Sequence, residues 1–540
     1  MKKLKRYAAL LLALTLVAGL LAGCRREDSL SFRVGFGRVP ATLDPALASA
    51  DEEKIVVSHL FENLMKLQSD GSGGTTAVNG MARSYQCDAT AEGQETYTFK
   101  LRSATWSDGT KVTAQDFVYA WKRLVAPETG SKNAKLLDMV AGYTAARAGD
   151  AEALQVSAPD EETFVVALSG RCPYFIDSVC TAAATMPVQS AAVAQENWSM
   201  SASTLVTNGA YTVSSWEGDT LTLTQSADYH DKRRLGPENL TFRFTADAKT
   251  ANSLYDRGEV DFVLGLTEEA VAKKIDSWTP DSCPETSVVL LNQLSSLTSN
   301  ENVRRAMGLV IDRNAIAELL GARTHPAAEG LVTWGIRSTV GGQFRDLGPA
   351  VDNDSENYEK NCQTARELMQ AAGYTAGALA KLGTVTMLYE SDGITDSLAA
   401  LLQKTWTEKL GLDVTLQGVT TAQIDQALAR GEYTIAALRV SSDRNDATGF
   451  LNSWRKGNED NYANFYSSAY DMLLRVAAVS VSQEARDAYL EDAERLLLEQ
   501  GNVIPLYYST ISWSLSEHYT GVFGDGLGRY FFYAVHKASK

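Results

Sequence analysis

The stretch Tyr97–Arg123, YTFKLRSATWSDGTKVTAQDFVYAWKR, carries two periods in succession. Its opening alternates, with Tyr97, Phe99 and Leu101 on one face and Thr98, Lys100 and Arg102 on the other, the pattern of a half-buried strand. Ser107-Asp108-Gly109-Thr110 reads as a turn with Gly at its third place, where a positive φ costs least. Thr113 then starts a helix, and Asp116 three residues on completes a capping box. Phe117, Ala120, Trp121 and Leu124 follow at helical spacing as its buried stripe. A strand–turn–helix unit results, and nothing in it carries chemistry.

The part WSDGTKVTAQDFVYAWKR resembles the signature of the peptide/nickel solute-binding proteins (solute-binding family 5), above all the oligopeptide-binding proteins of ABC importers. Outward from it, further pieces are similar to the same family: Leu43-Asp44-Pro45, Leu60-Phe61-Glu62-Asn63-Leu64, Pro173-Tyr174-Phe175, Asn208-Gly209-Ala210-Tyr211, Gly258-Glu259-Val260-Asp261 and Asp312-Arg313. The likeness runs from Phe32 to Lys537 and implies an α/β, periplasmic-binding-protein-like fold of type II, cluster C, bilobal with an additional inserted domain. The chain then divides into a leader at 1–23, a lipidated N-terminus and linker at 24–31, and a first domain at 32–64. An inserted second domain follows at 65–187, the first domain resumes at 188–266, a third α/β domain occupies 267–504, and 505–540 returns to the first.

Local patterns agree with that division. Leu221–Gln225, Leu240–Phe244 and Val260–Leu264 alternate like strands of one sheet. Thr384–Tyr389, a helix Ile394–Leu410 stopped by Gly411, and Asp413–Gln417 read as a βαβ-like unit. A strand is expected at Ser287–Leu291, another at Tyr433–Leu438, and a helix at Gln483–Gln500.

The N-terminus reads as a targeting segment. Lys2, Lys3, Lys5 and Arg6 precede an apolar run, Tyr7–Leu21, too short for a comfortable membrane span. Leu21-Ala22-Gly23-Cys24 fits a bacterial lipobox, so Cys24 is expected to carry lipid and to hold the protein on the extracytoplasmic face of the cell membrane. The net charge of −16 argues against nucleic acid and against broad adhesion to anionic lipid. Of the other cysteines, Cys87, Cys172, Cys180, Cys283 and Cys362, none sits in a Cys-x-x-Cys pair. Neither a zinc site nor a thioredoxin motif is indicated, and Cys172 and Cys180 could pair only if the backbone brings them together.

The loop Arg439–Asn452 resembles the oligopeptide-binding proteins' loop ending in Phe-Leu-Asn. In that family one Asp of this loop takes the ligand's α-ammonium group, and the matching residue is Asp443; Asp446 is the better candidate for a helix cap. A buried ammonium needs a charge partner, because desolvation without one is costly. The rest of a peptide site should be main chain, since an extended ligand adds itself as a strand. Arg439, Val440 and Ser441 on one side and Ser49, Ala50 and Asp51 on the other are the candidates. Side chains of the ligand would fall into roomy, water-filled pockets. Two places depart from close relatives: their Trp and Cys are Val440 and Ser441, and the family's Ser-Pro-Tyr is Ser131-Lys132-Asn133. Arg439 and Lys132 read as solvated charges that could meet a ligand carboxylate.

No Gly-x-Ser-x-Gly, His-Glu-x-x-His or Walker loop occurs, so no catalytic residue, metal or cofactor is expected, and a surface hydrolase is the weaker reading. The expectation is a monomeric binding protein that takes oligopeptides to the membrane permease of an ABC importer. The alternatives are a family relative binding a nickel chelate, haem, opine or sugar, and a peptide-pheromone receptor.

Overall fold

In the computed structural model, which describes residues 30–71, 74–90, 93–273 and 278–539, the Tyr97–Arg123 stretch folds as its two periods predict. Cys24 and the leader lie outside the described residues. The chain opens with β1 (Ser31–Phe36), a helix Asp51–Leu60, and a hairpin of β2 (Met65–Ser69) and β3 (Thr75–Asn79). A four-stranded antiparallel sheet follows, in the order β4 (Ala82–Ala89), β5 (Glu95–Leu101), β7 (Thr163–Ala167), β6 (Val156–Asp160). β5 buries Tyr97, Phe99 and Leu101 and exposes Lys100. Gly109 takes φ 86° in the turn. The Thr113 N–H reaches Asp116 Oδ2 at 2.8 Å to start the helix Ala114–Val125, whose Phe117, Ala120, Trp121 and Leu124 are buried.

Asn208 ties the returning chain to its first pass. Its side-chain oxygen accepts from the Glu62 N–H and its amide donates to the Glu62 carbonyl, both at 3.0 Å. Gly209 lies so near Leu60 that a Cβ there would stand 2.5 Å from the Leu60 carbonyl carbon. Two stretches that resemble family motifs therefore hold one another, and only glycine fits the contact.

The strands that follow are β8 (Tyr211–Glu217), β9 (Thr220–Gln225), β10 (Asn239–Phe244), β11 (Phe262–Leu264), β12 (Thr279–Leu291), β13 (Val385–Glu390), β14 (Val414–Val419), β15 (Ile435–Ser441) and β16 (Val503–Leu515), before two short two-stranded pairings near the C-terminus. They join β1 in one ten-stranded sheet, ordered β14-β13-β15-β12-β16-β11-β1-β10-β9-β8. β9, β10 and β11 share this sheet as expected, and β13 and β14 pair in parallel across the helix Gly393–Leu410, the predicted βαβ unit. β12 and β16, 13 residues each, carry the sheet from one half into the other. Their register shifts twice, between Ser282 and Thr286 and between Ser287 and Val288.

β12 corrects the expected strand at Ser287–Leu291, for it begins at Thr279. Its residues split by period two: Val288 and Leu290 enter one apolar core, Val289 and Leu291 another, so helices cover both faces here. A third core unites β1 and the helix Asp51–Leu60 with the four-stranded sheet. Cys172 and Cys180 are buried free thiols and form no disulfide; Cys362 is also buried, Cys283 half-buried and Cys87 exposed.

Candidate ligand-binding site

β15 is flanked unevenly. β12 pairs with it as far as Ser441, whereas β13 stops at Ala437. Beyond Ala437, one edge of Leu438–Ser441 has no strand beside it among the described residues. Such an edge presents main-chain donors and acceptors at fixed spacing, which is what strand addition requires. Arg439, Ser441 and Asp443 are exposed in alternation, while Ser442 and Arg444 point inward.

Asp443 and its neighbour form an unevenly charged group. The buried Arg444 guanidinium donates to Asp443 Oδ1 at 2.8 Å, to Asp138 Oδ1 at 3.0 Å, to the Tyr174 hydroxyl at 3.0 Å and to the Lys135 carbonyl at 3.0 Å. Burial works against this guanidinium, yet Asp443, Tyr174 and Asp138 outweigh it and hold its pKa well above the ordinary arginine value. One positive charge thus serves two carboxylates, and the Asp443 side chain keeps 35% of its surface open. Asp446 differs. Its Oδ1 accepts from the Thr448 N–H at 3.0 Å, at the start of the helix Thr448–Leu451, and from Arg486 at 2.9 Å.

Ser49, Ala50 and Asp51 sit at the head of the helix Asp51–Leu60. Glu53 reaches back to the N–H groups of Ser49 at 2.9 Å and Ala50 at 3.1 Å, so those two donors already have partners. The loop at Ser131-Lys132-Asn133 pins this segment, Ser131 donating to the Ala46 carbonyl and Asn133 Nδ2 to that of Ala48 at 2.9 Å. Lys132 is exposed. Charged groups of both candidate segments act on Cys283. Its thiol pKa is pushed up by burial and then by Glu285 and Asp51, with Lys54 and Arg439 opposing. Arg439 is exposed and also paired: Asp392 lies 3.0 Å, Glu390 3.4 Å and Glu285 3.8 Å from it. Three carboxylates around one guanidinium make this ground net negative.

Beside this ground opens a cavity of about 1020 Å³. Thr75, Glu95, Arg171 and Asp177 line it from the small sheet's side, Asp281, Arg337 and Arg486 from the other, and Gly524–Gly526 from the C-terminal segment. Asn445 and Asp446 bring the loop into its wall, whereas Arg439, Val440, Ser441, Asp443, Ser49, Ala50 and Asp51 are not among its lining residues. Sequence reading missed Asp138, Tyr174, Asp281 and Arg337, since each meets a partner that long-range folding brings to it. Among the described residues no group of His, Cys, Asp and Glu is arranged to hold a metal, and no helix is long and apolar enough to cross a membrane.

Comparison with known proteins fits this geometry. Residues 76–462 match the family model "Bacterial extracellular solute-binding proteins, family 5 Middle". The periplasmic murein peptide-binding protein MppA of Escherichia coli is 29% identical over 87% of this chain and 86% of its own. The periplasmic oligopeptide-binding protein OppA of the same organism is 28% identical over 86% and 85%. A structure of MppA in its unliganded open form superimposes with a TM-score of 0.78 at 25% identity, over 94% of this chain and 98% of that one. With the sheet order, the inserted small sheet and this match over most of its length, the chain belongs to the bacterial extracellular solute-binding proteins of family 5, with their periplasmic-binding-protein-like α/β fold.

Proposed function

We propose that this protein captures oligopeptides outside the cytoplasmic membrane and delivers them to the permease of an ABC importer, anchored by lipid on Cys24. The chain divides as its sequence suggests, and ligand is enclosed when the first and third domains close on it by hinge motion. It binds and releases without turnover. The observation that carries the reading is the Asp443–Arg444–Asp138 group, where one buried guanidinium is shared by two carboxylates that both keep about a third of their surface open, Asp443 at the end of the open strand edge. An α-ammonium placed at Asp443 brings the group to neutrality, and the open edge of Leu438–Ser441 accepts the peptide main chain behind it. The names of the relatives, murein peptide- and oligopeptide-binding proteins, support the same ligand class. The Leu21-Ala22-Gly23-Cys24 run supports the anchor.

The test is calorimetric titration of wild type and Asp443→Ala with matched peptides carrying a free or an acetylated amino terminus. Affinity for the free-amino peptide should fall roughly tenfold or more, the worth of a charge-assisted hydrogen bond, and that for the acetylated one far less. Equal losses would take Asp443 out of the role. Native mass spectrometry of protein taken from cells should show peptide masses released intact; a saccharide or metal chelate instead would sink the peptide reading.

A further inference from the structure

The large cavity has a side recess of about 260 Å³, and Asp281 and Ser282 border both. The recess walls are mostly apolar: Pro280, Pro326, Trp334 and Tyr508 line it, with the Trp334 and Tyr508 rings edge to face at 5.3 Å. Its basic wall residue, Arg323, lies over the Trp278 ring at 4.6 Å. At the junction the Asp281 carboxylate accepts from the Tyr530 hydroxyl at 3.0 Å and from the Ser282 N–H at 2.8 Å. It lies against Gly524, where a Cβ would come within 3.2 Å of Oδ2.

Both of those donors are neutral, and among the described residues no lysine, arginine or histidine pairs with Asp281. The nearby Asp525 has Arg529 at 2.7 Å, so its charge is met. The Asp281 carboxyl is held above its ordinary value, mainly by burial, with Tyr530 and Ser282 pulling the other way. A carboxylate part-buried at a cavity junction without a cation is an expensive arrangement unless a ligand brings one. An aromatic or aliphatic ligand side chain would cover the recess walls but leave that carboxylate dehydrated. An acidic one would be repelled. A basic side chain satisfies both surfaces, because its methylene stem is apolar and its head is charged.

On the reading of this site as a peptide cleft, we propose that Asp281 is a specificity-determining residue selecting ligands with a lysine or arginine side chain. The stem of that side chain lies on Pro280, Trp334 and Tyr508, and its head meets the Asp281 carboxylate.

The test uses alanine tri- to pentapeptides in which lysine, its uncharged analogue norleucine, or glutamate occupies each position in turn, titrated into the wild-type protein, Asp281→Asn and Asp281→Glu. At one position lysine should bind roughly tenfold tighter than norleucine, and glutamate more weakly than either. The lysine-to-norleucine ratio should fall close to one in Asp281→Asn and recover in Asp281→Glu. A lysine preference at no position, or one that survives Asp281→Asn, overturns the assignment. Should Asp281→Asn fail to fold, wild type at low and high salt decides it. A ratio that narrows with salt supports the ion pair, and one indifferent to salt overturns it. Alanine peptides that bind without lysine preference overturn this assignment alone, whereas failure of every peptide to bind overturns the peptide reading with it.

Discussion

Asp443 and Asp446 lie three residues apart in one loop, and each meets an arginine, yet they do opposite things. Asp446 and Arg486 keep 7% and 5% of their side-chain surface, and the same carboxylate accepts from the Thr448 N–H two residues on. Asp443 keeps 35%, and its arginine is shared with Asp138 from a distant part of the chain. Arg486 also has a second carboxylate, Asp487 at 3.9 Å, but all three side chains are buried and belong to the scaffold; a carboxylate that shares its arginine and keeps an open side can take a ligand. The same contrast separates Glu494, buried with Arg345 at 2.6 Å and two backbone N–H groups, from Asp281, which has only neutral donors.

The contrast can be broken most forcefully at its closed end. Asp446→Ala leaves Arg486 buried without its main counter-ion and should cost about 3–5 kcal/mol of folding stability, read by chemical denaturation. Asp443→Ala, removing a group over a third exposed, should change stability by no more than about 0.5 kcal/mol in the same measurement. Comparable losses would mean that the two aspartates do not differ as described.

A second closed group is His59. Its Nδ1–H donates to the Ile55 carbonyl at 2.7 Å and its Nε2 accepts from the Phe532 N–H at 3.0 Å, so only the neutral ring fits. Burial lowers its pKa from 6.5 to about 4. The unfolded chain therefore binds the proton more readily. The contribution is full above about pH 6.5 and is lost as pH falls towards 4, amounting to about 3 kcal/mol. Denaturation curves between pH 7 and 4 should show this slope in wild type and lack much of it in His59→Gln. The mildest test is Asp138→Asn. It lowers the excess negative charge around Arg444 without touching Asp443, and should weaken free-amino peptides by roughly threefold, below the loss at Asp443→Ala.

Whatever rests on short-range order was readable in the chain. Phe117, Ala120, Trp121 and Leu124 had to share a helix face, and Asp116 had to face Thr113; the cap expected at Asp446 falls one residue on, at Ala447, with no side-chain bond. Gly411 and Gly431 end their helices at φ 72° and 66° for the same local reason. The start of β12 was hidden because Pro280, Asp281 and Pro284 are poor strand formers, and the segment is held extended by β16, more than two hundred residues on. The Asp443 register was legible through resemblance, but its environment was not, since Arg444 reaches Asp138 across 306 residues. Arg439 read as a free cation because Glu285, Glu390 and Asp392 come from two other strands and the turn after one of them.

The irregular crossing of β12 and β16 has a mechanical meaning. Between Ser282 and Thr286 three residues of β12 face only Ser509, and one of the three, Pro284, has no N–H to offer. A ribbon missing rungs at one level bends there before it bends anywhere else. Should the proposed closure take place, the long sheet is expected to bend at that level, and Cys283 and Glu285 stand on it.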